Sequence, residues 1–418
     1  MNTAAVAASE AAAGQAATRS LKEVWIVTIG HALTHWYPAT FYILLPLIGK
    51  ELGLSYSQIG LVMTCQAIAG ALSNIPGGMV VDTVGKKAML LAISLFWIGV
   101  PYFLIGFTHN YPMLLICVML VGIGNNLWHP AAIPTLASRF PDRKGLVLSI
   151  HGMGGNVGDA CAPLVIGALL TVLTWRQIVM INVVPGIVMA VMILAFLGTL
   201  RIAKASSSGD FSKDDGKKQD LRAYMQGLKR LVTDRGVNML LIGSAFRNMT
   251  QSALLTFLPV YLAYEMGYSP WLVGVWMFAL QLAGFTAAPI AGHLSDKIGP
   301  RKIVMSSLGM TCVVLLAMAF AGKSHAFVLL IAILGFFLYA VRAVLQSWML
   351  DSAPKNMGGT AIGVMFGVQS LGAAIAPGLG GLIADEFGLI YAFYFMAVTI
   401  IIANIFVFLT PAPKRQAD

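Results

Sequence analysis

Long apolar runs separated by short polar breaks make up almost the whole chain. The runs lie at 24–49, 57–81, 87–107, 111–138, 145–171, 176–200, 237–264, 270–295, 302–321, 326–352, 358–383 and 389–411. A helix needs about 20 apolar residues to cross a bilayer core, so the pattern predicts twelve transmembrane helices. Pro38, Pro101, Pro185 and Pro289 do not argue against helix, because neighbouring membrane helices re-satisfy the freed backbone groups. The one long polar break is 201–236. Its second half puts Leu221, Met225, Leu228 and Val232 on one face, which predicts an interfacial amphipathic helix. The expected organisation is a tail over 1–23, a six-helix bundle over 24–200, a linker over 201–236, a second bundle over 237–411 and a tail over 412–418.

The two bundles read as copies. Gly78-Met-Val-Val-Asp82-Thr-Val-Gly85-Lys86-Lys87 recurs as Gly292-His-Leu-Ser-Asp296-Lys-Ile-Gly299-Pro-Arg301-Lys302, so Asp82 maps to Asp296 at an offset of 214. The same offset takes Glu51 to Glu265, Gly60 to Gly274, Pro163 to Pro377 and Gly167 to Gly381. A constant shift held over more than a hundred positions marks a parallel duplication, with its axis along the membrane normal.

Composition agrees with lipid as the solvent. Of the 418 residues 58% are hydrophobic and 11% charged, where a soluble protein carries about 25% charge. The net charge of +10 does not point to nucleic acid, because the basic residues sit in short turns. Only Lys50, Arg176 and Lys323 fall in the turns on one side, and Arg247 and Arg342 fall inside apolar segments; the rest lie on the side of the termini. Basic loops stay inside, which predicts both termini and the linker in the cytoplasm of a bacterial-type inner membrane. Residues 1–20 lack the pattern of a signal peptide. Cys65, Cys117, Cys161 and Cys312 lie in apolar runs and read as small buried hydrophobes. No cofactor and no metal site are expected.

The duplicated loop pattern Gly-x-x-x-Asp-x-x-Gly-[Lys/Arg]-[Lys/Arg], together with Gly154-x3-Gly158-x3-Ala162-Pro163 and Gly372-x3-Ala376-Pro377, resembles the major facilitator superfamily over the whole chain. His31-Ala-Leu-Thr34-His35 and Gly122-x-Gly-x3-Trp128-His129-Pro130 are similar to its fosmidomycin-resistance-like branch. That branch tends to carry Asn-Asp where this chain has Thr34-His35, and the superfamily's usual arginine in the fourth helix is absent. The resemblance implies the all-α major facilitator fold, a monomer, and alternating access with the first, fourth, seventh and tenth helices lining a central cavity. The loop residues Gly78, Asp82, Gly85, Lys86, Lys87, Gly292, Asp296, Gly299 and Arg301 are the expected conformational latch. In it Asp82 is expected to pair with Arg139 or Arg143 and with the positive end of a helix.

An ionisable residue mid-membrane costs about 2.5–3.5 kcal/mol on insertion scales, so function is the default reading for one. Four segments each carry a polar pair at i, i+4, one above the other on a single face: His31/His35, Asn125/His129, Arg247/Gln251 and Arg342/Gln346. Trp36, Tyr37, Trp128 and Tyr339 lie beside them as candidate walls, and the fifth segment adds His151, Asn156 and Asp159. Two arginines and four histidines face one mid-membrane acid, Asp159. Surplus positive charge at low dielectric calls for an anion, and guanidinium suits carboxylate or phosphonate. The expected substrate site is therefore Arg247, Arg342, His31, His35, Asn125, His129, Gln251, Gln346, Tyr339 and Trp128. His35, His151 and Asp159 are the candidates for proton coupling, since histidine titrates near neutral pH. Each arginine has a structural alternative, a bridge to helix carbonyls or to Asp159.

These readings make the chain a secondary transporter, not an enzyme: no nucleotide loop or nucleophile motif is present. The cargo expected is a small organic anion, moved with protons. The main alternative is a multidrug proton antiporter that exports amphipathic compounds. A divalent-metal carrier built on His31, His35, His129 and His151 is a third reading, opposed by repulsion from the arginines.

Overall fold

The computed structural model describes residues 21–84, 86–197, 229, 231, 233–353 and 358–411. The expected tails, most of the linker with its amphipathic helix, Gly85 and the side chain of Asp82 lie outside the described residues.

Helices occupy all twelve expected positions: α1 (Leu21–Glu51), α2 (Tyr56–Val84), α3 (Lys87–Ile105), α4 (Tyr111–Asn126 continued by Trp128–Arg139), α5 (Lys144–Leu169), α6 (Trp175–Ile181 continued by Val183–Leu197), α7 (Arg235–Tyr264), α8 (Pro270–Ile298), α9 (Pro300–Ala321), α10 (His325–Ser352), α11 (Gly358–Phe387) and α12 (Tyr391–Leu409). Among the described residues, eight are long and apolar enough to cross a membrane on length and composition alone. The other four are α1, α2, α5 and α7. Three of these carry His31, His35, His151, Asp159, Arg247 and Gln251, so polar site residues dilute their apolar character. Leu72, Val172, Phe196 and Phe320 are more than 60% exposed. Water would penalise such a surface, and lipid does not.

The duplication governs packing as well as sequence. In the first bundle α1 packs on α5, α2 on α4, and α3 on α4 and α6; in the second α7 packs on α11, α8 on α10, and α9 on α10 and α12. Gly53 and Gly267, related by the offset, both turn the chain at positive φ, 62° and 66°, a region that only glycine enters freely. Gly299 of the signature loop does the same at φ 93°.

The bundles meet along two seams, α2 against α11 and α8 against α5, and the seams are copies. A Cβ on Gly60 would strike the Pro377 carbonyl, and one on its counterpart Gly274 would strike that of Pro163. A Cβ on Gly381 would strike the Tyr56 carbonyl, and one on Gly167 that of Pro270. Glycine lets the backbones touch. The seams lie at the end of the molecule opposite the basic turns.

Among the described residues, polar bonds reinforce one seam, that of α2 and α11. Asp385 accepts from the backbone N–H groups of Tyr56 (2.7 Å) and Ser57 (2.9 Å) at the start of α2. The Thr64 hydroxyl donates to the Ala374 carbonyl at 2.6 Å and accepts from Gly378 N at 3.2 Å. At the same end Arg176 pairs with Glu51 at 2.7 Å and Lys323 with Glu265 at 2.8 Å, so the two duplicated glutamates each hold a base.

Candidate functional site: a polar cluster between the bundles

α1 supplies the centre of the first bundle's cluster. The i, i+4 spacing stacks His31 and His35 on one face, with their rings 4.8 Å apart. His31 Nδ1 lies 2.6 Å from the His151 carbonyl of α5, and its Nε2 lies 3.2 Å from His129 Nε2 of α4. The His151 ring stacks on His31 at 4.0 Å. His35 Nδ1 lies 2.9 Å from Asp159 Oδ2, with the side chains 26% and 29% exposed. Gly154 and Gly158 bring α5 onto α1, where a Cβ would strike the Thr28 and Ala32 carbonyls. Four histidines and Asp159 thus form one network, as the first bundle's share of the expected site.

The second bundle's share is built differently. Arg247 of α7 is buried, 3% exposed. It donates to Gln251 Oε1 and, at 2.6 Å, to the Leu338 carbonyl of α10, and it lies 5.8 Å from the Tyr339 ring centre. This is the bridge to a helix carbonyl that the sequence left open, and it braces α7 against α10. Arg342 is exposed. It lies near enough to His129 of the other bundle, and to Arg247 and Tyr339 of its own, for their charges to interact. Among the described residues no carboxylate lies within ion-pair distance of either arginine.

Several expected residues go elsewhere. Trp128 is fully buried and packs edge-on over Gly30. An indole is too large to stay in the cavity wall when glycine opens a slot for it between α1 and α4. Tyr37 is also fully buried; its hydroxyl donates to the Asn182 carbonyl, 2.9 Å, while Trp36 Nε1 donates to Asn182 Oδ1, 2.8 Å. These two rings brace the junction between the segments of α6. Asn156, exposed, and Gln346, half-buried, are not drawn into the interior in this way. At the basic end Arg139 is held by Glu23 through Nε (2.9 Å) and Nη2 (3.1 Å); the side chain of Asp82, its expected partner, lies outside the described residues. Arg301 donates to the Phe408 carbonyl, and Asp296 is exposed.

Sequence reasoning missed Asp385 and Glu23, both near helix ends, where a carboxylate reads as an ordinary loop acid. A cavity of about 640 Å³ lies between α1 and α7 at the seam end, lined by Pro46, Leu47, Lys50, Tyr264 and Tyr268. It contains none of the expected site residues, most of which gather instead in the polar cluster. There Asn125 Oδ1, both His151 ring nitrogens, Arg247 Nε and the Tyr339 hydroxyl are buried without a protein partner. Each such atom costs about 1–3 kcal/mol, and their concentration suits a site that receives something polar.

The comparisons with known proteins agree on architecture and vary in cargo. A solved bacterial homologue of the human lysosomal transporter Spinster, inward-facing and unoccupied, superposes with a TM-score of 0.81 at 18% identity, covering 94% of this chain and 97% of that one. The probable sulfoacetate transporter SauU of Cupriavidus necator is 27% identical over 381 residues, 82% of each chain. The fosmidomycin resistance protein of Escherichia coli is 23% identical, covering 91% of this chain and 90% of that one. The Major Facilitator Superfamily model matches residues 24–286 and 240–418. With twelve helices in two duplicated bundles, and with a match that spans nearly the whole sequence, this multi-pass membrane chain belongs to the Major Facilitator Superfamily and is a transporter, not an enzyme.

Proposed function

We propose that the chain is a secondary carrier for a small organic anion, a carboxylate, sulfonate or phosphonate, driven by the proton gradient. The observation that carries this is Arg342. It is an exposed guanidinium with, among the described residues, no carboxylate within ion-pair distance, and it lies close to His129 of the other bundle. The one acid of the cluster, Asp159, is already engaged by His35, so the positive surplus is left for cargo. Arg247 contributes charge from behind, while its Nη1 and Nη2 donors are spent on Gln251 and Leu338. The relative named for sulfoacetate fits this cargo class. The membrane is read as a bacterial inner membrane with the basic end in the cytoplasm.

Proteoliposomes with an imposed pH gradient test the reading. One pH unit supplies about 1.4 kcal/mol per proton, enough for roughly tenfold accumulation. Uptake of sulfoacetate or a similar anion, with uncharged analogues excluded, is the expected result. The relative named for fosmidomycin resistance favours a second reading, export of toxic compounds. Stabilisation of the purified protein by lipophilic cations and not by anions would select that reading.

A further inference from the structure

We propose that His31, His35 and His129 bind one transition-metal dication of the zinc class, with the fourth coordination position turned to the space between the bundles. One ring nitrogen from each of the three lies within 4.8 Å of the others. His31 Nε2 and His129 Nε2 are 3.2 Å apart. Two nitrogens on a tetrahedral ion with bonds of about 2.0–2.1 Å stand about 3.3–3.4 Å apart, so this edge needs almost no adjustment.

The outer groups orient the donors. His31 Nδ1–H donates to the His151 carbonyl and His35 Nδ1–H to Asp159. A metal-binding imidazole commonly gives its other N–H to a carbonyl or carboxylate, which fixes the tautomer and leaves Nε2 as the basic atom. Both kinds of acceptor are present, on two adjacent rings. Gly155 keeps the site open: a Cβ there would come within 2.9 Å of His35 Nε2 and 3.0 Å of His31 Cε1. Three imidazoles with an open fourth position suit zinc, cobalt or nickel over magnesium or calcium.

Repulsion from Arg342, whose charge reaches His129, opposes a dication. Asp159 behind His35 offsets part of it, and an anion taken as fourth ligand would lie between the metal and the guanidinium. This makes the ion a resident of the site and not its cargo. The proposal stands apart from the anion reading, because anion binding can be measured in chelator-treated protein.

The test is titration of the purified full-length protein, free of any polyhistidine tag, with cobalt(II) followed by absorption and with zinc(II) followed by calorimetry. Saturation at one equivalent with the intense visible bands of four-coordinate cobalt is expected. His129→Ala should abolish those bands, and Asp159→Asn should weaken binding about 10–100-fold. His109→Ala, in the turn before α4, and His325→Ala, at the start of α10, should change nothing. A wild-type protein with no saturable one-equivalent site overturns the proposal, whatever the variants do. So does binding that survives unchanged in a folded His31→Ala/His129→Ala double variant.

Discussion

The two bundles share a scaffold and differ in the chemistry mounted on it. Gly122 of α4 rests on the Gln66 carbonyl, and Gly335 of α10 rests on the Leu280 carbonyl. Seven residues beyond these equivalent contacts come His129 and Arg342. One place in the fold therefore holds an imidazole in the first bundle and a guanidinium in the second. Around His129 the first bundle gathers titratable rings and a carboxylate into a closed network. Around Arg342 the second bundle gathers a braced arginine, an amide and a tyrosine, with charge left over. Duplication preserved the glycines that let backbones meet and let the residues of the polar cluster diverge. Backbone contact tolerates no side chain, whereas a cavity wall tolerates any chemistry that something fills.

The seams break the comparison most sharply. Gly60→Val and Gly274→Val should both abolish transport in proteoliposomes, because each side chain would hit a proline carbonyl on the opposite bundle. Equal loss is expected; a harmless Gly274→Val would mean that the seams are not equivalent.

The paired positions sharpen it next. Arg342→Ala should weaken anion affinity by about 10–100-fold, the range for a lost charged hydrogen bond of about 1.5–3 kcal/mol, with little change in thermal stability. Arg247→Ala should lower the melting temperature as well, since it strands the Leu338 carbonyl and Gln251. If the two variants behave alike in both assays, the division between a contacting and a bracing arginine fails.

A one-sided effect is expected at the seam acids. Asp385→Asn removes the charged cap of α2 and should cost about 1 kcal/mol of seam closure, a roughly fivefold shift toward the open seam by cross-linking. Its counterpart Thr171, just past α5, gives its hydroxyl to the Ala168 carbonyl at 2.7 Å and, among the described residues, makes no side-chain bond to α8, so Thr171→Ala should leave the balance untouched.

The smallest effect is expected in the signature loops. Asp82→Asn should lower flux without lowering the amount of folded protein, and Asp296→Asn should do less. Wild-type flux in Asp82→Asn would remove the latch.

The apolar runs and the offset made the twelve helices and two bundles legible, because lipid demands long helices and a duplication leaves its glycines and prolines in register. The i, i+4 pairs also named the helices that carry the polar cluster, because helical periodicity is local. The fate of each polar side chain was not local. The sequence placed Trp128 and Tyr37 beside the cavity, and packing drew both away, one into the slot over Gly30 and the other onto the junction of α6. It offered two equivalent arginines, and the α10 carbonyl at Leu338 took one of them. It paired His31 with His35 and grouped the four histidines only in the metal-carrier alternative, and the approach of α5 and α4 to α1 joined them into one network. Helix length, repeat and sign of charge are properties of the chain taken alone. Which polar group meets another and which keeps a free donor depends on the separation of helices distant in sequence, and tertiary structure alone sets that distance.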